Sequence, residues 1–214
     1  MNLYQFLYYL KITIVFILFL TNCYTSKDTS DLPSILPLLM NQKIELLMIG
    51  DSLSERSNTF DLQQKLGDSY KINDISVSGR DVRIWLADKQ KIQANKANIV
   101  IVNLGTNDAS YYSTNEYPKY YSELIEYLRS IYSWKIVLTL VPPTNDPILK
   151  ERIQINNLWI QTNYPTETKV DLLDLFEKNK SLPLYPTIDS IHPNPIGYDI
   201  IGSEYSRILS GLRI

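Results

Sequence analysis

Ile99-Val100-Ile101-Val102-Asn103-Leu104-Gly105-Thr106-Asn107-Asp108 is the stretch that decides the architecture. Its first four residues are β-branched and apolar, without the polar alternation of a strand that keeps one face wet. Such a run fits a strand inside a parallel sheet, covered by helices on both faces. The Gly, Thr, Asn and Asp that follow read as the turn out of that strand.

The same alternation continues outward in both directions. Strands are predicted over residues 44–49, 71–77, 99–104, 135–141 and 170–173. Helices are predicted over 60–66, 82–94, 116–132, 148–163 and 196–212. Within 82–94, Val82, Trp85, Leu86 and Ile92 fall near one face of a 3.6-residue period. Strand–helix alternation of this kind predicts an α/β fold, one three-layer α/β/α sandwich around a parallel five-stranded sheet. In an open parallel sheet ligands bind beyond the carboxyl ends of the strands. Ser52 follows the first strand, Gly79 the second and Asn107 the third, so the three converge on one edge. The loop Asp189-Ser190-Ile191-His192-Pro193-Asn194 precedes the last helix and can reach the same edge.

His192 is the one histidine among 214 residues. A serine hydroxyl needs a base to take its proton, and imidazole suits that task near neutral pH. Pro193 disfavours α geometry at His192, which places the histidine in a loop. Asn194-Pro195 reads as an N-cap and first helical residue, so the last helix starts just behind it. Asp189, three residues earlier, is placed to accept from the ring and fix its tautomer. Ser52, in Gly50-Asp51-Ser52-Leu53, is the candidate nucleophile. Attack on an ester carbonyl puts negative charge on oxygen, and the backbone N–H groups of Ser52 and Gly79 with the Asn107 amide could receive it. Asp51 and Asp108 are read as structural, bonding loop backbone rather than a metal. Tyr111 and Tyr112 are candidates for a substrate rim, and Trp85 a weaker one.

Gly50-Asp51-Ser52-Leu53, Gly79, Gly105-Thr106-Asn107-Asp108 and Asp189-Ser190-Ile191-His192-Pro193-Asn194 together resemble the motif blocks of the SGNH (GDSL-type) hydrolases, over residues 43 to about 205. The resemblance implies a flavodoxin-like sheet and a serine esterase. It implies Ser52 as nucleophile, Asp189 and His192 as its partners, and Ser52, Gly79 and Asn107 as the oxyanion hole. It implies no metal and no other cofactor. Two positions depart from the pattern: Asp74 stands where the family commonly has Asn, and Arg80 where lysophospholipase-like members often have an acid.

Composition narrows the rest. A net charge of −2 without a basic block argues against a nucleic-acid partner. One Cys and one His cannot furnish an ordinary zinc site. Residues 12–20 (ITIVFILFL) have the length of a secretory h-region and fall short of spanning a bilayer as a helix. The lone cysteine follows in Leu20-Thr21-Asn22-Cys23, which resembles a bacterial lipobox although Asn22 replaces the usual small residue. The expected organisation is a lipoprotein-type signal peptide over 1–22, a polar tether over 23–36 and the hydrolase domain over 37–214. Lipidated Cys23 would then anchor the exported protein to a membrane of the cell envelope. An ordinary signal peptide and a single-pass anchor are the alternatives.

Three functions compete on these residues. The first is hydrolysis of acyl esters, either short acyl groups on a glycan or the acyl chain of a lysophospholipid. Acyl transfer on the same triad is the second. A surface binding protein that kept the fold without turnover is the third.

Overall fold

The computed structural model describes residues 43–111, 115–131 and 135–212. The predicted signal peptide, the tether with Cys23, residues 37–42 and Tyr112 lie outside them. β1 (Ile44–Gly50), β2 (Tyr70–Asp74), β3 (Ile99–Asn103), β4 (Lys135–Leu140) and β5 (Thr168–Asp171) form one sheet. Its order is β2-β1-β3-β4-β5 and every neighbouring pair is parallel. Parallel neighbours need crossover connections, which helices supply. The connecting helices are α1 (Ser52–Arg56), α2 (Leu62–Leu66), α3 (Val82–Ala87), α4 (Lys89–Gln93), α5 (Thr106–Tyr111), α6 (Tyr117–Ile131) and α7 (Pro147–Asn163), while α8 (Leu172–Lys178) and α9 (Pro195–Ser210) follow β5.

The period-2 geometry of a strand explains the unbroken apolar runs. Leu47, Ile49, Val100, Val102 and Leu138 pack to one side, under Trp85 of α3, Leu124 and Leu128 of α6 and Ile160 of α7. Leu46, Met48, Ile99, Ile101 and Val137 pack to the other, under Leu62 of α2, Phe176 of α8 and Ile201, Tyr205 and Leu209 of α9. Both faces are dry, so neither needs polar residues. The sheet order reverses between β1 and β3, and residues just beyond their carboxyl ends border the crevice expected there.

Three expectations shift at their ends for local reasons. The second strand stops at Asp74 rather than 77, because the Asp74 carboxylate takes the Ser76 N–H at 2.8 Å and turns the chain. The fifth ends at Asp171, whose side chain caps α8 by accepting from the Asp174 N–H at 2.9 Å. The helix predicted over 82–94 breaks at Asp88, where φ is −112° and ψ 40°. The Asp88 carboxylate there holds Arg80 at 2.8 Å.

Between α1 and α2 the chain takes an uncommon path. Asn58, Thr59, Phe60 and Asp61 all have φ between 51° and 55°. Each such residue costs about 1–2 kcal/mol relative to right-handed backbone. Specific contacts offset the cost: Phe60 is buried and stacks on Tyr205 at 5.3 Å. Its N–H donates to Ser57 Oγ at 3.0 Å, and Thr59 Oγ1 donates to Asp74 Oδ2 at 2.6 Å.

Candidate active site

Ser52 opens α1 directly after central strand β1. The preceding Asp51 caps the helix, its Oδ1 accepting from the Leu53 N–H at 2.9 Å. Gly50 is required by close approach. A Cβ there would lie 2.1 Å from Ser54 Oγ and 2.7 Å from Ser76 Oγ. Trp85 sits beneath this turn, fully buried, with its indole N–H donating to the Gly50 carbonyl at 3.1 Å. It therefore supports the turn from inside the core, and the suggested contact of Trp85 with substrate is corrected.

His192 reaches Ser52 from the loop before α9. Its Nε2 lies 2.9 Å from Ser52 Oγ and its Nδ1 2.8 Å from Asp189 Oδ2. A carboxylate only accepts, so it selects the tautomer with hydrogen on Nδ1 and leaves Nε2 free to receive the serine proton. The other Asp189 oxygen accepts from the N–H groups of Ile191 and His192, each at 2.9 Å. Burial alone would raise the Asp189 carboxyl, but these bonds and the nearby imidazole outweigh it and hold it at about 2. The loop is fastened at both ends: Asn145 N–H donates to the Ser190 carbonyl at 2.7 Å, and Asn194 caps α9 through the Gly197 N–H at 3.0 Å.

The second and third motifs meet beside Asp51, the residue before Ser52. Gly79 lies in a turn closed by the Arg80 N–H on the Val77 carbonyl at 3.2 Å, with φ of 78°. Left-handed backbone there favours glycine. The Asn107 amide donates to the Arg80 carbonyl at 3.0 Å and makes a longer contact of 3.4 Å with Asp51 Oδ2. One amide hydrogen is thus firmly placed and the other loosely committed. Both departures from the family pattern have structural work here. Asp74 holds Ser76 and Thr59, while Arg80 pairs with Asp88 and lies over the Trp85 ring at 4.6 Å. Tyr111 is exposed, and a Cβ on Gly79 would lie 3.9 Å from its hydroxyl, which puts it beside this turn.

Asp51 and Asp108 are buried in the floor. As expected of structural acids, Asp51 takes the Leu53 N–H and Asp108 the Val82 N–H, at 3.1 Å. Burial pushes the Asp51 carboxyl up to about 7, against the bond from Leu53 and with a further upward push from the Asp108 charge. Between the ordinary value of 3.8 and about 7, the folded protein keeps a proton that the unfolded chain releases. Stability therefore falls as pH rises through that window and levels off above it. Asp51→Asn keeps the capping oxygen and removes the titration. Thermal unfolding at pH 5 and pH 8 should show a smaller pH-dependent loss in the variant; an equal loss would assign the effect elsewhere.

The sequence reading missed two neighbours in α1. Arg56 Nη1 lies 3.1 Å from His192 Nδ1 and 3.9 Å from Asp189 Oδ2. The Glu55 carboxylate accepts from Ser78. A usable signal existed: with residue 52 opening a helix, residue 56 falls on the same face. The five-residue helix itself went unpredicted.

Comparison with known proteins bears on the fold and the family. No curated protein sequence matches the chain. A lipolytic protein of the G-D-S-L family from Veillonella parvula superposes with a TM-score of 0.68 at 14% identity, over 78% of this chain and 99% of that one. A lipase/acylhydrolase from Enterococcus faecalis gives 0.66 at 17%, over 78% and 96%. An acetylxylan esterase from Geobacillus stearothermophilus gives 0.62 at 20%, over 79% and 95%. At these identities the likeness bears on the fold. The sequence profile of the GDSL-like lipase/acylhydrolase family matches residues 48–200, a span that contains Ser52, Gly79, Asn107, Asp189 and His192. On that match the chain belongs to the GDSL-like lipase/acylhydrolase family and is a serine hydrolase of ester bonds.

Proposed function

We propose that the chain hydrolyses acyl esters through an acyl-enzyme on Ser52, with His192 as general base and acid and Asp189 as its orienting partner. The observation that carries this reading is the continuous relay from Ser52 Oγ to His192 Nε2 at 2.9 Å and from Nδ1 to Asp189 at 2.8 Å. His192 takes the serine proton as Oγ bonds to the carbonyl carbon. The resulting oxyanion is received by the N–H groups of Ser52 and Gly79 and by the loosely committed hydrogen of the Asn107 amide. Collapse of that intermediate breaks the bond to the alcohol, which leaves with the proton from His192. Water then attacks the acyl-enzyme with His192 again as base, restoring Ser52 and releasing the carboxylic acid.

The substrate is a short acyl ester on a carbohydrate. Among the described residues the longest stretch between elements, 179–194, is the one that carries Asp189 and His192 themselves, and the exposed Tyr111 offers a ring beside the Gly79 turn. One structural neighbour is described as an acetylxylan esterase. Acetylated xylo-oligosaccharides and a lysophosphatidylcholine, incubated in parallel, test the assignment. Acetate release with little fatty acid release is expected; the reverse would move the enzyme to lysophospholipids. The enzyme works outside the cytoplasm, held at a membrane by acylated Cys23. Expression in a bacterium with labelled palmitate should mark the wild type and leave Cys23→Ala unlabelled; equal labelling would contradict the anchor.

A further inference from the structure

The turn that carries Gly79 has a built-in ambiguity. Ser78 and Gly79 are its middle residues, and the Arg80 N–H on the Val77 carbonyl closes it. A glycine φ of 78° is the value that the third residue of a type II turn takes. Type I and type II turns share the closing bond and differ by rotation of the peptide unit joining the two middle residues. Here that unit bears the Gly79 N–H, the donor on which the oxyanion hole relies. Half a rotation would present the Ser78 carbonyl to the oxyanion instead and remove the stabilisation. The closing bond leaves this orientation to the backbone of the two middle residues, and the place of the whole turn relative to Ser52 to a contact with another element.

Glu55 supplies it. Its Oε2 accepts from the Ser78 N–H at 2.8 Å and also from the Ser78 hydroxyl. One carboxylate oxygen thereby fixes both the backbone and the side chain of the residue just before Gly79. Glu55 stands on α1, three residues after Ser52, so one short helix carries the nucleophile and braces its oxyanion loop. The helix is tied to the same loop again by Ser54 Oγ donating to Ser76 Oγ at 2.8 Å. We propose that Glu55 is a positioning residue that docks the turn of residues 77–80, and with it the Gly79 N–H, against the helix that carries Ser52. The proposal rests on the hydrolase reading above. Both bonds from Ser78 also hold the Glu55 carboxyl below its ordinary range, which keeps the acceptor charged into mild acid.

The test is steady-state hydrolysis of 4-nitrophenyl acetate by the full domain, with thermal unfolding as the control for folding. Glu55→Ala should lower kcat by about 10- to 100-fold, since a donor is misaimed rather than deleted. KM should stay within about twofold. Glu55→Gln should recover part of the loss, because its amide oxygen still accepts from Ser78. Ser78→Ala, added to Glu55→Ala, should cost little more, because both act through one contact. Wild-type kcat in Glu55→Ala, or losses that multiply in the double variant, would overturn the proposal while leaving an active wild type and the hydrolase reading intact. A wild type that neither turns over the ester nor labels on Ser52 would refute both.

Discussion

His192→Ala will lower kcat/KM for any accepted ester by about 10⁴- to 10⁶-fold. That loss corresponds to about 5–8 kcal/mol of transition-state stabilisation. The ring is the one imidazole in the chain, and its Nε2 stands 2.9 Å from Ser52 Oγ. Among the described residues, His192 is the side chain that stands at hydrogen-bond distance from that hydroxyl. The fold should survive, because Asp189 keeps two backbone N–H bonds and the loop keeps its ties to Asn145 and α9. An unfolding midpoint within a few degrees of wild type, with turnover retained above one-hundredth, would contradict a histidine base.

Asn107→Ala will lower kcat by about 10²- to 10³-fold with KM little changed. A donor that meets charge only as the tetrahedral intermediate forms contributes to the barrier and scarcely to ground-state binding. The Arg80 carbonyl at 3.0 Å fixes the amide plane, so the donor is aimed before substrate arrives. Asn107→Asp separates this account from simple loss of a contact. It keeps size and shape but turns a donor into an anion beside a developing anion and beside Asp51, and should be worse than alanine. A loss confined to KM, or an aspartate variant more active than the alanine variant, would remove Asn107 from the oxyanion hole.

The sheet was legible because β1, β3 and β4 carry the apolar runs 46–49, 99–102 and 136–138, which suit a parallel strand covered on both faces. The ends were less legible wherever a single side chain decides them: Asp74 ends β2, Asp88 breaks the helix, and Asp171 ends β5 by capping. The left-handed run 58–61 is only half signalled: Asn58 and Asp61 tolerate that backbone, but Thr59 and Phe60 do not favour it and are held by Asp74, Ser57 and Tyr205. Ser52, Gly79, Asn107, Asp189 and His192 could be read as one site because each follows a strand or precedes a helix at the same edge of the sheet. Trp85 was misread because its spacing places it on a helical face without saying that the face is interior. Glu55 and Arg56 were missed because the five-residue helix that sets them beside Ser52 was not predicted.

The central claim is that Ser52 is an activated nucleophile, and fluorophosphonate labelling tests it most directly. The domain from residue 26 onward would be treated with the probe, digested, and the modified residue located by mass spectrometry. The account predicts a single adduct on Ser52, absent from Ser52→Ala and much weaker in His192→Ala. A folded protein that takes no label, or takes it on another serine, would contradict the relay from Asp189 through His192 to Ser52.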